Sequence, residues 1–287
     1  MYGSGIPLNQ VGADMKDIYK ISNSVFTVDG NILGFDRSTF DADALAYIAA
    51  VEAADGEALE AGVKSAVNDF VVGCKSDGIW TAIKASCIMA GARTLTGALQ
   101  PLVGTAPTNF NFVSGDYNRT TGLVGGSTKR LDTNRNNNAD PQDSNHNVVY
   151  ITVATSLNLQ ALIGASDPFN EVGGNVLRIV NTSDLRTQSR MGGAVTTTVS
   201  SPGPPVGFAG HSRAASGTYT LRGEGVNYSL NQVSQATNNR NVAVFARNVD
   251  GANFSTCRLA FYSIGEAIDL ALLDARITTL INAYGAI

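Results

Sequence analysis

The spacing of apolar residues changes near Pro107, and this change constrains the fold more than any other feature of the sequence. From about Asp41 up to this point, apolar residues recur three and four positions apart, the period of an amphipathic helix. Beyond it they alternate with polar residues, the period of a strand with one buried face. We therefore predict an α+β chain in which a small helical segment precedes an antiparallel β-sandwich.

Four short helices are predicted between Asp41 and Gly104. Asp41 caps a first helix that carries Ala44, Ile48 and Val51 and stops at Asp55-Gly56. The second ends near Asp77-Gly78, and its apolar stripe is Leu59, Val63, Ala66, Val67, Phe70, Val71 and Cys74. A third helix is expected from Ile79 through Ile83 and Cys87 to Gly91, and a shorter one is expected to carry Leu95, Leu99 and Leu102.

Several short segments after Pro107 alternate apolar and polar residues between turns rich in Gly, Asn, Ser and Pro. The segment with Val149, Ile151 and Val153 is apolar on both faces, which predicts a central strand. The other predicted strands lie around residues 177–179, 219–221, 226–230, 242–244 and 257–261. No helical pattern separates them, and this favours antiparallel pairing in a sandwich.

The chain ends in a predicted helix. Ser263 and Glu266 have the spacing of a capping box, and Gly285 is placed to stop the helix. Its apolar seam, which spans only about two heptads, is Leu270, Leu273, Ile277, Leu280 and Tyr284. Two interpretations remain open: the seam packs on the sandwich or the helical segment, or it forms a contact between subunits.

Residues 1–40 mix Gly, Pro and polar residues with apolar ones that follow no sustained period. The apolar residues are Ile6, Leu8, Val11, Ile18, Ile21, Val25, Phe26, Ile32 and Leu33. Such a segment cannot offset its own ordering entropy, so we expect another surface to cover it. That surface belongs to a neighbouring chain or to the helical segment of the same chain.

The composition excludes several functional classes. The net charge is −4, and the short basic stretch Lys129-Arg130, with Arg135 nearby, is expected to be a few solvated charges, so we predict no nucleic-acid binding. We also predict no membrane span, because no apolar run reaches 18 residues. Neither a basic region nor an apolar run marks a signal peptide at the start, so we expect the protein to be made in a cytoplasm.

The sequence contains three cysteines, Cys74, Cys87 and Cys257. Their number is odd, and their spacing is not that of a metal site. Cys74 and Cys87 lie on apolar faces of the predicted helices. We predict buried, reduced thiols.

We assign no catalytic, cofactor-binding or metal-binding residue and predict that the protein is not an enzyme and needs no cofactor. A serine-hydrolase elbow and a phosphate-binding loop are both missing from the sequence. The strand region around residues 219–230 holds one acidic residue, Glu224, and thus no carboxylate pair for glycoside hydrolysis. The two histidines, His146 and His211, lie in polar stretches and are expected at the surface.

One pattern is suggestive of calcium. Asp132, Asn134, Asn136, Asp140 and Asp143 occupy positions 1, 3, 5, 9 and 12 of an EF-hand-type loop. Asn137 stands where glycine is required, however, and no helices are predicted beside the loop. The last ligand would be Asp143 rather than the longer Glu, and Asn-rich loops commonly form Asx turns, so we assign no metal there.

Four stretches resemble a family of bacteriophage tail and virion proteins. They are residues 105–123 (TAPTNFNFVSGDYNRTTGL), 126–135 (GSTKRLDTNR), 244–248 (VFARN) and 259–265 (LAFYSIG) with the helix that follows. The resemblance extends over about residues 41–287 and implies a laminin-G or concanavalin-like jelly roll after a helical segment. With the arm, which lies outside the resemblance, we predict four parts: an N-terminal arm (1–40), a helical domain (41–105), a lectin-like β-sandwich (106–262) and a C-terminal helix (263–287).

The resemblance implies a non-enzymatic structural protein of the virion, in the tail, a fibre or the particle surface. Its expected partners are further copies of itself, as a homo-oligomer, and other virion proteins. The alternative is a lectin-like module that binds carbohydrate on a host surface. Exposed aromatic side chains beside a shallow groove would favour binding, whereas large apolar interfaces would favour assembly.

Overall fold

The structure is a computed structural model and describes residues 27–28, 31–32, 40–155, 158–166, 172–181, 184–191, 197–199 and 205–285. Its contacts divide the chain into two compact units, Met1–Thr39 and Phe40–Ile287. In the first unit, strands β1 (Thr27–Val28) and β2 (Asn31–Ile32) pair as an antiparallel hairpin. Most of the apolar residues of the predicted arm lie outside the described residues.

The first two predicted helices are confirmed. Helix α1 (Ala42–Asp55) begins after Asp41, whose carboxylate accepts a hydrogen bond from the Asp43 amide, and it ends at Gly56. Gly56 has a φ of 71°, a left-handed conformation that glycine adopts without strain. Helix α2 (Ala61–Ser76) ends at Asp77, and the whole predicted stripe from Leu59 to Cys74 is buried.

The third predicted helix is wrong. A 3-10 turn (Trp80–Ala82) leads into strand β3 (Ile83–Ile88), a short helix α3 (Leu95–Ala98) follows, and Leu102 lies in strand β4 (Pro101–Val103). Ile83 and Ile88 pack towards the helices, whereas Ala85 and Cys87 pack between the sheets. A short segment buried on both faces has no period that separates strand from helix.

The remaining strands follow in chain order. They are β5 (Thr108–Phe110), β6 (Tyr117–Asn118), β7 (Gly122–Val124), β8 (Arg130–Asn136), β9 (Asn145–Val153), β10 (Gln160–Ala165), β11 (Gly174–Val180), β12 (Asp184–Met191), β13 (Thr197–Val199), β14 (Gly207–Arg213), β15 (Thr218–Gly223), β16 (Val226–Asn231), β17 (Asn241–Val244) and β18 (Arg258–Gly265). Every strand region predicted after Pro107 is a strand here.

These strands form two antiparallel sheets that face each other. In the described part of the chain, the larger sheet runs β16-β15-β14-β9-β18-β3-β4, with β7 paired to β18 and β6 to β7. The smaller sheet runs β13-β12-β11-β10-β17-β8-β5. Strand β9 lies between β14 and β18, as expected of a central strand. The α+β class and the antiparallel sandwich are confirmed, but the sandwich begins with β3 at Ile83 rather than near residue 106.

Two apolar cores hold the fold together. The first lies between the sheets and includes Val149 and Ile151 from β9 and Leu177 from β11. The second lies between the larger sheet and the helices, where Val148 and Phe261 meet α1, α2 and the C-terminal helix. Strand β9 therefore contributes to both cores, since its alternate residues face opposite sides.

The C-terminal helix, α4 (Leu270–Tyr284), starts later than predicted. Ser263 belongs to β18, and Asp269 is the N-cap that accepts hydrogen bonds from the amides of Ala271 and Leu272. The stop at Gly285 is confirmed. The whole predicted seam is buried against α2 and β14 of the same chain, so the seam does not remain open for another subunit. None of the described helices is long and apolar enough to cross a bilayer.

Candidate ligand-binding site

Both histidines are fully buried, and their expected surface position is wrong. His146 lies in β9, with Nε2 2.8 Å from Ser263 Oγ and Nδ1 2.5 Å from the carbonyl oxygen of Glu266. His211 lies in β14, with Nδ1 2.7 Å from Thr187 Oγ1. The polar residues around the histidines suggested loops. In the structure, the smaller sheet covers one face of β9 and β14, on the side of His211, and the segment before α4 covers the other, on the side of His146.

Burial decides the charge of these imidazoles. Desolvation lowers the pKa of His146 to about 4 and that of His211 to about 3, so both are neutral near pH 7. Ser263 and His146 have the residue types of a nucleophile and a base, yet both are fully buried. The segment before α4 covers them, and it is held there by hydrogen bonds from the Ala267 amide to Ser144 and from the Ile268 amide to Ser212. His146 holds the same segment through the carbonyl oxygen of Glu266.

The calcium-like residues are engaged by different partners. Asp132 accepts from the Asn241 amide, Asp140 forms a two-bond ion pair with Arg135, and Asp143 accepts from the Ser234 hydroxyl. Asn134 and Asn136 bond to other side chains and to backbone groups. Within the described residues, no group of three or more His, Cys, Asp and Glu side chains is arranged to hold a metal ion.

The short basic stretch is paired within the fold. Lys129 forms an ion pair with Asp116, and the Arg130 guanidinium lies 4.1 Å from the centre of the Phe110 ring. Arg135, as described, is held by Asp140. These cations therefore serve contacts inside the chain rather than the plain solvated role that the sequence suggested.

All three cysteines are free and buried. Cys74 lies on α2 as predicted, but Cys87 lies on β3 rather than on a helix. Desolvation raises the pKa of Cys74 to about 12 and that of Cys87 well above its usual range. The thiols of Cys74 and Cys87 are therefore protonated and poor nucleophiles, and the expected burial of the cysteines is confirmed.

A groove of about 420 Å³ lies between α1 and β4, the edge strand of the larger sheet. Its volume is within the range of small-molecule sites, roughly 300–1,000 Å³. It is lined by Asp43, Ala46, Tyr47, Ala50, Trp80, Gln100, Pro101, Leu102 and Val103. Most of these side chains are apolar, and the few polar groups are those a ligand site uses for orientation.

Trp80, the single tryptophan of the chain, is half-buried in this groove. Its indole Nε1–H donates a hydrogen bond to Asp43 Oδ2 over 3.1 Å. The Lys75 ammonium lies 5.7 Å from the ring centre and 2.7 Å from the same carboxylate oxygen. These contacts fix the orientation of the ring that lines the groove.

A second, smaller cleft of about 260 Å³ lies between the first turn of α4 and β15–β16. Thr220 and Ser229, paired directly across these strands, line it together with Thr218 and Asn227. Its aromatic lining residue, Tyr219, is only 3% exposed. The groove at Trp80 is larger and presents an aromatic side chain, which makes it the stronger candidate site.

Sequence reasoning missed this groove. Asp43 lies in α1, Trp80 in a 3-10 turn, and Gln100 directly before the edge strand β4. The sequence pattern placed Trp80 in a helix that does not form. The available signal was the lone tryptophan in a weakly periodic stretch.

The structure is therefore a β-sandwich with a groove between α1 and the edge strand β4 of its larger sheet. No family model and no curated protein matches the sequence. Among solved structures, the chain is similar to the CBM40 domain of a Ruminococcus gnavus IT-sialidase bound to α2,3-sialyllactose. The identity is 14%, the TM-score is 0.38, and the match covers 47% of this chain and 83% of that one.

Two longer structures are also similar. The binding domain of botulinum neurotoxin serotype D matches at 11% identity and a TM-score of 0.46, over 69% of this chain and 50% of the toxin domain. A mutant Trypanosoma rangeli sialidase matches at 9% identity and a TM-score of 0.48, over 76% of this chain and 39% of the sialidase. This chain thus spans half or less of those two proteins, and the likeness concerns the fold alone.

Proposed function

We propose that this protein is a non-catalytic carbohydrate-binding protein in which a sugar unit packs into the groove between α1 and β4. The observation that carries the proposal is the oriented, half-buried Trp80 beside the polar groups of Asp43 and Gln100. A sugar ring has apolar C–H faces and a rim of hydroxyls. It therefore needs an aromatic surface next to hydrogen-bonding groups, and this groove offers both.

A binding role, as opposed to a catalytic one, is supported by the positions of the titratable groups. Both imidazoles of the chain are fully buried, and so is the hydroxyl paired with His146. Catalysis needs such a group within hydrogen-bond reach of the substrate. The groove itself is lined by one carboxylate, Asp43, and not by the carboxylate pair that glycoside hydrolysis uses.

The test uses Trp80 as its own reporter, because no other tryptophan contributes to the fluorescence. Titration of the full chain with a panel of neutral mono- and oligosaccharides is expected to change the emission of Trp80. Calorimetry then compares the wild type with Trp80→Ala, for which we expect at least a tenfold loss of affinity. Tyr228→Ala removes a half-buried aromatic from β16, at the opposite edge of the same sheet, and should leave the affinity unchanged.

Equal losses in both variants would point to general destabilisation, and unchanged binding in Trp80→Ala would exclude this groove. Hydrolysis of any saccharide in the panel would contradict the non-catalytic part of the proposal.

Assembly into a virion is a second proposed role, compatible with the first. It is supported by the phage-like sequence stretches and by the apolar residues of positions 1–40, which follow no sustained period. We propose that this segment contacts a further copy of the chain or another virion protein. In that setting the groove would recognise a glycan on the host surface.

A further inference from the structure

Asp43 is the one charged residue among the side chains that line the groove at Trp80. The nearest cation, Lys75, is already shared, with its ammonium 2.7 Å from Asp41 Oδ1 and 2.7 Å from Asp43 Oδ2. The hydrogen bond with Lys75 lowers the pKa of Asp41, and the bond with Asp41 raises the pKa of Lys75, so both stay charged near neutral pH. Two carboxylates and one ammonium leave this corner with one net negative charge.

Asp43 also retains hydrogen-bonding capacity. Its Oδ2 takes the bonds to Trp80 and Lys75, whereas its Oδ1 has no hydrogen bond within the described residues. The side chain is 51% exposed. A sugar hydroxyl or a sugar ammonium that donates to this oxygen would form a charge-assisted bond, which is stronger than a bond between neutral groups.

We infer that the groove selects saccharides by charge: it takes units without a carboxylate and rejects sialic and uronic acids. The inference rests on the proposed function and adds the ligand class. A sugar carboxylate in the groove would lie beside Asp43 and lose its hydration, and no lining ammonium or guanidinium would compensate it. A neutral or amino sugar meets no such penalty.

Matched sugar pairs test the inference on the full chain: glucose and glucuronate, galactose and galacturonate, lactose and 3′-sialyllactose. At low ionic strength we expect the neutral member of each pair that binds to bind at least tenfold more tightly than the acidic member. The ratio of these two affinities should fall as salt screens the charge. Asp43→Asn should bring the ratio to within about threefold, since Asn keeps an acceptor for Trp80 while removing the charge.

Asp250→Asn is the matched control. Asp250 is a similarly exposed carboxylate (56%) in an ion pair with Arg240, and it lines neither groove. Its substitution changes the net charge equally and should leave the ratio unaltered.

Tighter or equal binding of the acidic sugars by the wild type overturns the inference while leaving the proposed function standing. So does an equal shift of the ratio in Asp43→Asn and Asp250→Asn. If no sugar of either kind binds, the proposed function and the inference both fall.

Discussion

At the scale of single residues, the unusual feature is the burial of polar side chains between the sheets. His211 and Asn147 are direct neighbours across β14 and β9, and both are fully buried. Arg213 is buried nearby, and its guanidinium bonds to the carbonyl oxygens of Ala215 and Ser216. Arg213 thereby anchors the turn after β14, whereas the Asn147 side-chain amide and His211 Nε2 have no hydrogen-bond partner within the described residues.

Because burial lowers the pKa of both histidines, we predict that the stability of the fold depends on pH. In the unfolded chain both titrate near 6.5, but in the folded protein their pKa values are about 4 and about 3. Between these limits the unfolded state binds more protons, so the free energy of unfolding falls as the pH is lowered from 7 to 5. We expect a loss of about 2 kcal/mol for each imidazole, measured by urea unfolding at both pH values.

His146→Asn and His211→Asn replace the imidazoles with side chains that do not titrate. Each substitution is expected to remove about half of the difference in the free energy of unfolding between pH 7 and pH 5. This holds whatever the substitution does to stability at pH 7. Carboxylates whose pKa is lowered, such as Glu60 beside Arg119, lose their contribution only at lower pH. An unchanged pH slope in the double variant would show that other groups carry it.

At the scale of elements, α4 closes the layer of helices over the larger sheet. Its seam packs on α2 and β14, and Arg276 forms a two-bond ion pair with Asp77 at the end of α2. The neighbouring residues Leu272 and Leu273 face opposite environments, because successive positions on a helix are about 100° apart. Leu273 is fully buried, whereas Leu272 is 39% exposed.

Leu273→Ala is therefore expected to lower the free energy of unfolding by about 2–5 kcal/mol, the cost of lost apolar contact plus a cavity. Leu272→Ala, the same substitution one position earlier in the helix, should change it by less than about 1 kcal/mol. Denaturant unfolding of the two variants measures the difference. Similar losses in both would mean that α4 is not held to the sheet by this seam.

At the scale of the whole molecule, the proposed assembly role belongs to the unit Met1–Thr39 and the proposed sugar binding to the unit Phe40–Ile287. Phe40 packs against the core of the second unit, so a deletion that tests the first unit should end at Thr39. We expect the chain without residues 2–39 to stay folded and to keep its sugar affinity, because the groove and both cores belong to Phe40–Ile287.

The same deletion is expected to lower the oligomeric mass and to prevent incorporation into particles, if the arm covers its apolar residues on a neighbour. Light scattering of the full chain and of the deleted chain measures the mass. The assembly role is lost if the mass and the incorporation are the same in both, and the arm then packs on its own chain.

The sequence by itself determined the elements whose burial is one-sided: α1, α2, α4 and the alternating strands of the sandwich. Their periodic patterns result from local geometry, which is the same in every fold. Only the tertiary structure decided that residues 83–88 form a strand, because a segment covered on both faces shows no period. The same holds for His146, His211 and the groove at Trp80. Their environments depend on neighbours remote in sequence, such as Ser263 for His146 and Asp43 for Trp80.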